Sequence, residues 1–253
     1  MSRFKVGYQI HPQHCAIDDL RRAWRAADEL GVDSIWTWDH FYPLYGEPDG
    51  PHFEGWSLLA AMACETARPR FGMLVTCNGY RNPEMLADIA RTVDHLSGGR
   101  LNLGIGAGWF ERDYDEYGYE FGTAGSRLAL LEESLERIKA RLPKLNPQPV
   151  GPMPIMIGGG GERVTLRLVA QYADMWNTFG PAENFGRRNA VLDEWCAKLG
   201  RDPASIERTV LIGDEEVEGV DELLATGAQH LILRGAAPFD TAPLERLLSE
   251  RDR

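Results

Sequence analysis

Four junctions in this chain carry residues able to do chemistry. At Trp36-Thr37-Trp38-Asp39-His40 a carboxylate and an imidazole stand side by side after an apolar run. A histidine in such a place can exchange a proton near neutral pH, and a carboxylate beside it can orient it or raise its pKa. The alternative is that His40 caps the following loop while Asp39 satisfies backbone donors. At Leu74-Val75-Thr76-Cys77-Asn78 small polar side chains follow an apolar run, suited to hydrogen-bonding a heterocycle or to serving a turn. In Gly104-Ile105-Gly106-Ala107-Gly108-Trp109 the alternate glycines let a planar ring approach the backbone. This is not the dinucleotide fingerprint, because no helix opens directly after it. Finally, Gly158-Gly159-Gly160-Gly161 stands between a strand-like run and Glu162, which is expected to open a helix. Four glycines there can form a nest of backbone N–H groups that holds a phosphate, helped by the helix dipole; the alternative is a flexible turn. Trp38 and Trp109, at strand ends, are the tryptophans expected beside a ring or substrate.

Other chemistries find no support. The six histidines form no HExxH or paired spacing, and a metal at His11-Pro12-Gln13-His14 is not expected. There is no GxSxG elbow and no Walker loop. The four cysteines are far apart and match neither a metal set nor a disulfide framework. A net charge of −11 argues against binding nucleic acid through its phosphates. No apolar stretch approaches the ~18 residues of a membrane span, and the N-terminus reads as a strand without a signal peptide. A cytoplasmic protein with a small-molecule substrate is expected.

The elements that must position these residues repeat a pattern of strand then helix. Strands are expected at Phe4–Ile10, Ser34–Trp38, Arg70–Cys77, Leu101–Ile105, Pro154–Ile157, Met175–Phe179, Thr209–Ile212 and His230–Arg234. The intervening helices are Asp18–Leu30, Glu54–Thr66, Pro83–Leu96, Ser126–Arg141, Glu162–Tyr172, Ala182–Leu199 and Glu218–Thr226, with Thr241–Glu250 closing the chain. Eight alternations favour a (β/α)₈ TIM barrel over an open doubly wound sheet. The proline-rich stretch Leu142–Pro154 reads as a loop, so residues 1–253 are expected to be one domain. In a barrel the chemistry belongs at the C-terminal ends of the strands, where all four junctions lie.

The motifs in this order resemble the luciferase-like monooxygenase superfamily over nearly the whole chain. Asp33-Ser34-Ile35-Trp36 with Asp39-His40, Tyr80-Arg81-Asn82-Pro83, and Asp94-His95-Leu96-Ser97-Gly98-Gly99-Arg100 carry the resemblance. So do Leu103 to Phe110 and Gly158–Gly161 followed by Glu162-Arg163. The sequence is most similar to the subgroup of probable coenzyme F420-dependent oxidoreductases.

The resemblance implies a barrel that binds FMN or the 5-deazaflavin coenzyme F420 at the strand ends. By position, Asp39 meets the deazaflavin ring and His40 donates a proton or orients substrate. Met73, Leu74 and Thr76 line the ring, with a non-proline cis peptide near Met73–Leu74. Gly106, Ala107 and Gly108 pass close to the ring, and Gly158, Gly159, Gly160 and Gly161 take the phosphate. Three departures stand out: Trp109 replaces the glutamate of the sugar-phosphate dehydrogenase branch, the segment between Arg141 and Pro154 is shortened where relatives carry a loop covering the site, and the region after Arg208 is abbreviated. The expected activity is hydride transfer between F420 and a small organic substrate. Two alternatives stay open: an FMN-dependent monooxygenase served by a flavin reductase, and a barrel without turnover. A homodimer through outer helices is implied by the resemblance alone.

Overall fold

Short apolar runs form parallel strands, and the helix after each strand lays an apolar stripe back over it. The structure, a computed structural model, describes residues 2–253. Its strands are β1 (Lys5–Ile10), β2 (Ser34–Thr37), β3 (Arg70–Met73), β4 (Thr76–Cys77), β5 (Leu101–Gly106), β6 (Ile155–Gly158), β7 (Met175–Phe179), β8 (Glu207–Ile212) and β9 (His230–Gly235). The helices are α1 (Ile17–Leu30), α2 (Gly55–Glu65), α3 (Pro83–Ser97), α4 (Glu111–Tyr117), α5 (Ala124–Arg141), α6 (Thr165–Tyr172), α7 (Ala182–Leu199), α8 (Val220–Ala225) and α9 (Ala242–Asp252).

All strand pairings are parallel, in the order β3-β2-β1-β9-β8-β7-β6-β5-β4, and β3 also pairs with β5, so the sheet closes. β3 and β4 are two pieces of one stave, which makes this the expected (β/α)₈ barrel. The single strand expected over Arg70–Cys77 breaks at Leu74 and Val75, which β5 skips, although Leu74 N still donates to Thr37 O of β2 at 2.7 Å. A cis peptide joins those two residues, one position later than expected.

The strands sort their side chains by alternation. Val6, Tyr8 and Ile10 face the helices in the main core, while Trp36, Leu74, Met156, Met175, Leu211 and Ile232 form a second buried cluster inside the barrel. Helix ends follow local chemistry: Glu54 caps α2 through Trp56 N and Ser57 N, Pro83 opens α3, and Gly31 and Gly98 close α1 and α3 in the left-handed conformation.

Three expectations need correction. α4 was not anticipated, because Glu111–Tyr117 is too short and acidic to show an apolar period. α6 begins at Thr165 rather than Glu162, so the glycine run ends in a turn and not directly on a helix. The stretch between Arg141 and Pro154 joins a helix to the next strand and therefore lies at the N-terminal end of the barrel. There Val150 N and Gly151 N donate to Asp94 Oδ2, and Gln148 O meets His95 Nε2. Its shortness uncovers nothing at the site. Among the described residues no helix is long and apolar enough to cross a membrane.

Candidate active site

At the C-terminal end of the strands lies a cavity of about 430 Å³ whose wall includes His40, Thr76, Gly106, Trp109, Gly158 and Arg234. That is within the usual size range of small-molecule sites. His40 follows β2, and its Nδ1 lies 2.8 Å from Asp113 Oδ2. Asp113, on α4, is fully buried and is held by three further donors: Tyr80 Oη at 2.8 Å, and the amides of Phe41 and Tyr42, each at 3.2 Å. This fixes the imidazole in one orientation. His40 Nε2 makes no hydrogen bond to the described residues and belongs to a side chain in the cavity wall. A pair so arranged can pass a proton at Nε2.

The carboxylate that orients His40 is thus not the adjacent Asp39. Successive residues point in different directions, and Asp39 turns to Arg81, whose Nη1 and Nη2 donate to its two oxygens at 2.6 and 2.9 Å; the Cys77 amide adds a bond of 2.9 Å. Burial pushes the Asp39 carboxyl upward, and Arg81 and the Cys77 amide oppose that shift. Asp39 reaches the cavity wall with both oxygens already engaged, the backbone-satisfying alternative noted above. Arg81 also donates to Glu54, tying the end of β2 to the start of α2.

The floor is the Leu74–Val75 bulge. Gln9 Nε2 donates to Leu74 O at 3.1 Å, and Gln9 Oε1 lies 3.1 Å from His11 Nε2. His11 stacks on Trp38 with ring centroids 4.2 Å apart, and its Nδ1 meets the Tyr45 hydroxyl. Burial, helped by Arg234, lowers the His11 pKa to about 3, so its ring is neutral at ordinary pH. Trp38 Nε1 donates to His52 Nε2 at 3.0 Å, and burial lowers the His52 pKa to about 4.

The glycines have unforeseen neighbours. A Cβ on Gly106 or Gly158 would stand 2.7 and 2.9 Å from the Val75 side chain, and one on Gly104 would strike the Met73 carbonyl. Their absent side chains make room for the bulge. Gly106, Ala107 and Gly108 line the cavity, as do Leu74, Thr76, Gly158 and Gly159. Met73 does not: strand alternation sends it outward, where a Cβ on Gly55 of α2 would lie 2.7 Å from its methyl. Gly160 and Gly161 sit beyond the cavity wall, beside Arg188 and Thr165. Trp109 stands at the rim, 64% exposed and edge-on to His40 with centroids 5.8 Å apart.

Sequence reasoning missed Asp113, Gln9, Tyr45, Val75, Phe179 and Arg234, and left His11 without a role. An acidic cluster soon after a strand-end glycine run was the available signal for Asp113. Among the described residues no group of three or more His, Cys, Asp and Glu side chains is arranged for a metal. The wall does fit a planar heterocycle: Thr76 Oγ1 is buried in it without a hydrogen-bond partner, and the bulge offers an apolar surface.

Comparison with known proteins shows the family and the fold. Residues 1–225 match the luciferase-like monooxygenase family. An F420-dependent glucose-6-phosphate dehydrogenase of Amycolatopsis mediterranei is 31% identical over 188 residues, 67% of this chain and 54% of that enzyme, so the match spans about half the relative's length. Among solved structures, an F420-dependent secondary alcohol dehydrogenase bound to an F420–acetone adduct superposes with a TM-score of 0.87 at 15% identity, covering 98% of both chains. The FMN-bound oxygenating component of a Baeyer–Villiger monooxygenase from a plasmid of Pseudomonas putida gives 0.74 at 15% identity over 99% and 98% of the two chains. At these identities the solved structures speak for the fold.

Proposed function

The chain belongs to the luciferase-like monooxygenase family, and from that premise we propose that it is an oxidoreductase transferring hydride between coenzyme F420 and a small organic substrate. The observation that carries this reading is the His40–Asp113 pair, whose free Nε2 belongs to a cavity floored by the Leu74–Val75 bulge. When bound, a deazaflavin supplies a ring carbon that takes up or gives back a hydride. Leu74, Val75 and Thr76 would hold the ring, with Thr76 Oγ1 as a hydrogen-bonding group for it. His40 Nε2 takes up the proton released when substrate is oxidised, and returns it in the reverse direction. Asp113 stabilises the resulting imidazolium. Neutral His11 and the Tyr45 hydroxyl add polar groups to the wall beside the positive charge of Arg234.

The relative named for F420 supports the coenzyme assignment. The FMN alternative draws support from the family's name and from the FMN-bound neighbour. Oxygen chemistry, however, needs a pocket closed to water. This mouth is open, with Trp109 64% and Phe179 57% exposed.

Parallel fluorescence titrations of the purified protein with F420 and with FMN test the reading. Binding of F420 in preference to FMN is expected. Preference for FMN would turn the assignment to oxygen chemistry, and binding of neither would leave a barrel without this turnover.

A further inference from the structure

Across the mouth from the Leu74–Val75 bulge the cavity wall changes character. The closed sheet runs β1, β2, β3 with β4, β5, β6, β7, β8 and β9, so β8 stands opposite the stave that carries the bulge, with β7 and β9 beside it. From the ends of these three strands Phe179, Leu211 and Arg234 enter the wall, Phe179 and Leu211 in register with each other. Among the described residues Arg234 is the only lysine or arginine lining the cavity. The one carboxylate there, Asp39, has both oxygens engaged by Arg81.

Arg234 is itself lightly held. Its Nη2 donates to Glu215 Oε1 at 3.2 Å and lies 3.9 Å from Glu216 Oε2, while Nε and Nη1 make no hydrogen bond to the described residues. Neither glutamate lines the cavity. Both sit on a short 3₁₀ turn over Asp214–Gly219, where Glu215 is 72% exposed and Glu216 accepts from the Gly213 amide at 2.8 Å. An exposed ion pair of this length is worth little, so an incoming anion can replace it. The Arg234 charge is felt along the wall: burial lowers the His11 pKa and Arg234 adds to that, and burial raises the Tyr45 hydroxyl while Arg234 opposes it. One guanidinium with no second cation beside it balances a monoanion, and its planar edge matches the two oxygens of a carboxylate. In a mostly apolar wall a few polar groups fix how a ligand lies.

We propose that Arg234 makes this chain select carboxylate-bearing ligands whose apolar body lies on Phe179 and Leu211, so that its substrates are small hydroxy acids and oxo acids. The reaction rests on the hydride-transfer reading above; the carboxylate site stands on its own residues. Oxidation of such a hydroxy acid sends the carbinol hydride to the deazaflavin ring carbon and the hydroxyl proton to His40 Nε2, leaving a carbonyl and an unchanged carboxylate. Arg234 holds the carboxylate and takes no part in the bonds that break.

The test compares rates of F420 reduction with hydroxy acids of graded chain length and with their methyl esters. Wild type is expected to favour the acids, with the preference carried by KM rather than kcat. Arg234→Gln should cut the acid-to-ester ratio of kcat/KM by about tenfold to a hundredfold, the worth of hydrogen bonds to a charged group. Arg234→Lys should keep part of that ratio. No preference in wild type, or one that Arg234→Gln leaves intact, would overturn the proposal. If wild type turns over neither acids nor esters, the hydride-transfer reading falls with its hydroxy-acid substrates, and binding decides the carboxylate site. Melting curves are then recorded with phenylacetate and with its neutral amide, in the presence and absence of F420. A rise in Tm with phenylacetate, absent with the amide and abolished by Arg234→Gln, upholds the site; no such rise overturns it.

Discussion

Each end of the barrel holds a histidine–carboxylate pair, and the two differ in what the second imidazole nitrogen meets. At the C-terminal end, His40 Nδ1 is fixed by Asp113 at 2.8 Å and Nε2 is free. At the N-terminal end, His230 Nδ1 lies 2.7 Å from Glu207 Oε1, and its Nε2 lies 2.8 Å from Ser34 Oγ. Serine, histidine and glutamate in that order imitate a hydrolytic triad. But Ser34 is buried and its oxygen also accepts Trp36 Nε1 at 2.6 Å, so the hydroxyl is committed to the barrel wall. Lys5 further pairs with Glu207. The same two side-chain types are therefore fully engaged with each other and with Ser34 at one end, and leave one nitrogen without a partner at the other. What separates them is whether the second imidazole nitrogen is left without a partner.

That comparison breaks most sharply by substitution at the two histidines. His40→Ala is expected to lower turnover by about 10²- to 10⁴-fold with little change in cofactor affinity. His230→Ala should leave turnover nearly intact while lowering Tm. Steady-state kinetics with melting curves on both variants decides the matter, and an equal loss of turnover would erase the distinction.

Asp113→Asn should lower turnover by about tenfold or more, short of the loss in His40→Ala, because the imidazole loses the charge that stabilises its protonated form. A shifted pH profile of turnover would separate this from mere misfolding. At the other mouth, Glu207→Gln, which weakens charge-assisted hydrogen bonds to His230 and Lys5, should cost about 2 kcal/mol of stability by denaturant unfolding without altering kinetics.

The smallest effects are in pH. His11 and His52 have folded pKa values lowered by burial to about 3 and about 4, against 6.5 when unfolded. As pH falls below about 6.5 the unfolded chain binds these protons first, so stability declines. Glu207, despite the opposing effect of burial, is lowered from 4.5 to about 2 by His230 and Lys5. Its stabilisation is present above 4.5 and is lost as pH falls toward 2. Glu207→Gln should remove only the lower of these two windows from a curve of Tm against pH. Retention of both windows would mean that Glu207 is not the titrating group.

Most strands and helices could be read from the sequence, because strands buried on both faces read as short apolar runs and helices buried on one face keep a period of 3.6. His40 was found for a similar reason, standing where a strand meets its loop. Its carboxylate was not. Asp113 lies 73 residues away on a single acidic turn, where Glu111, Asp113, Asp115 and Glu116 all compete for the role and no apolar pattern marks the helix. Met73 is placed at the ring by the resemblance alone; one step along a strand reverses direction, and it packs on α2 instead.

The sequence by itself determined the barrel and the presence of an imidazole and a glycine run at the strand ends where the cavity opens. These follow from local periodicity and chain order. Only the tertiary structure decided that Asp39 belongs to Arg81, that Asp113 orients His40, that Val75 fills the space left by Gly106 and Gly158, and that Arg188 reaches Gly160. Those pairings join residues from separate elements, and their geometry is set when the barrel closes. No spacing along the chain encodes that distance.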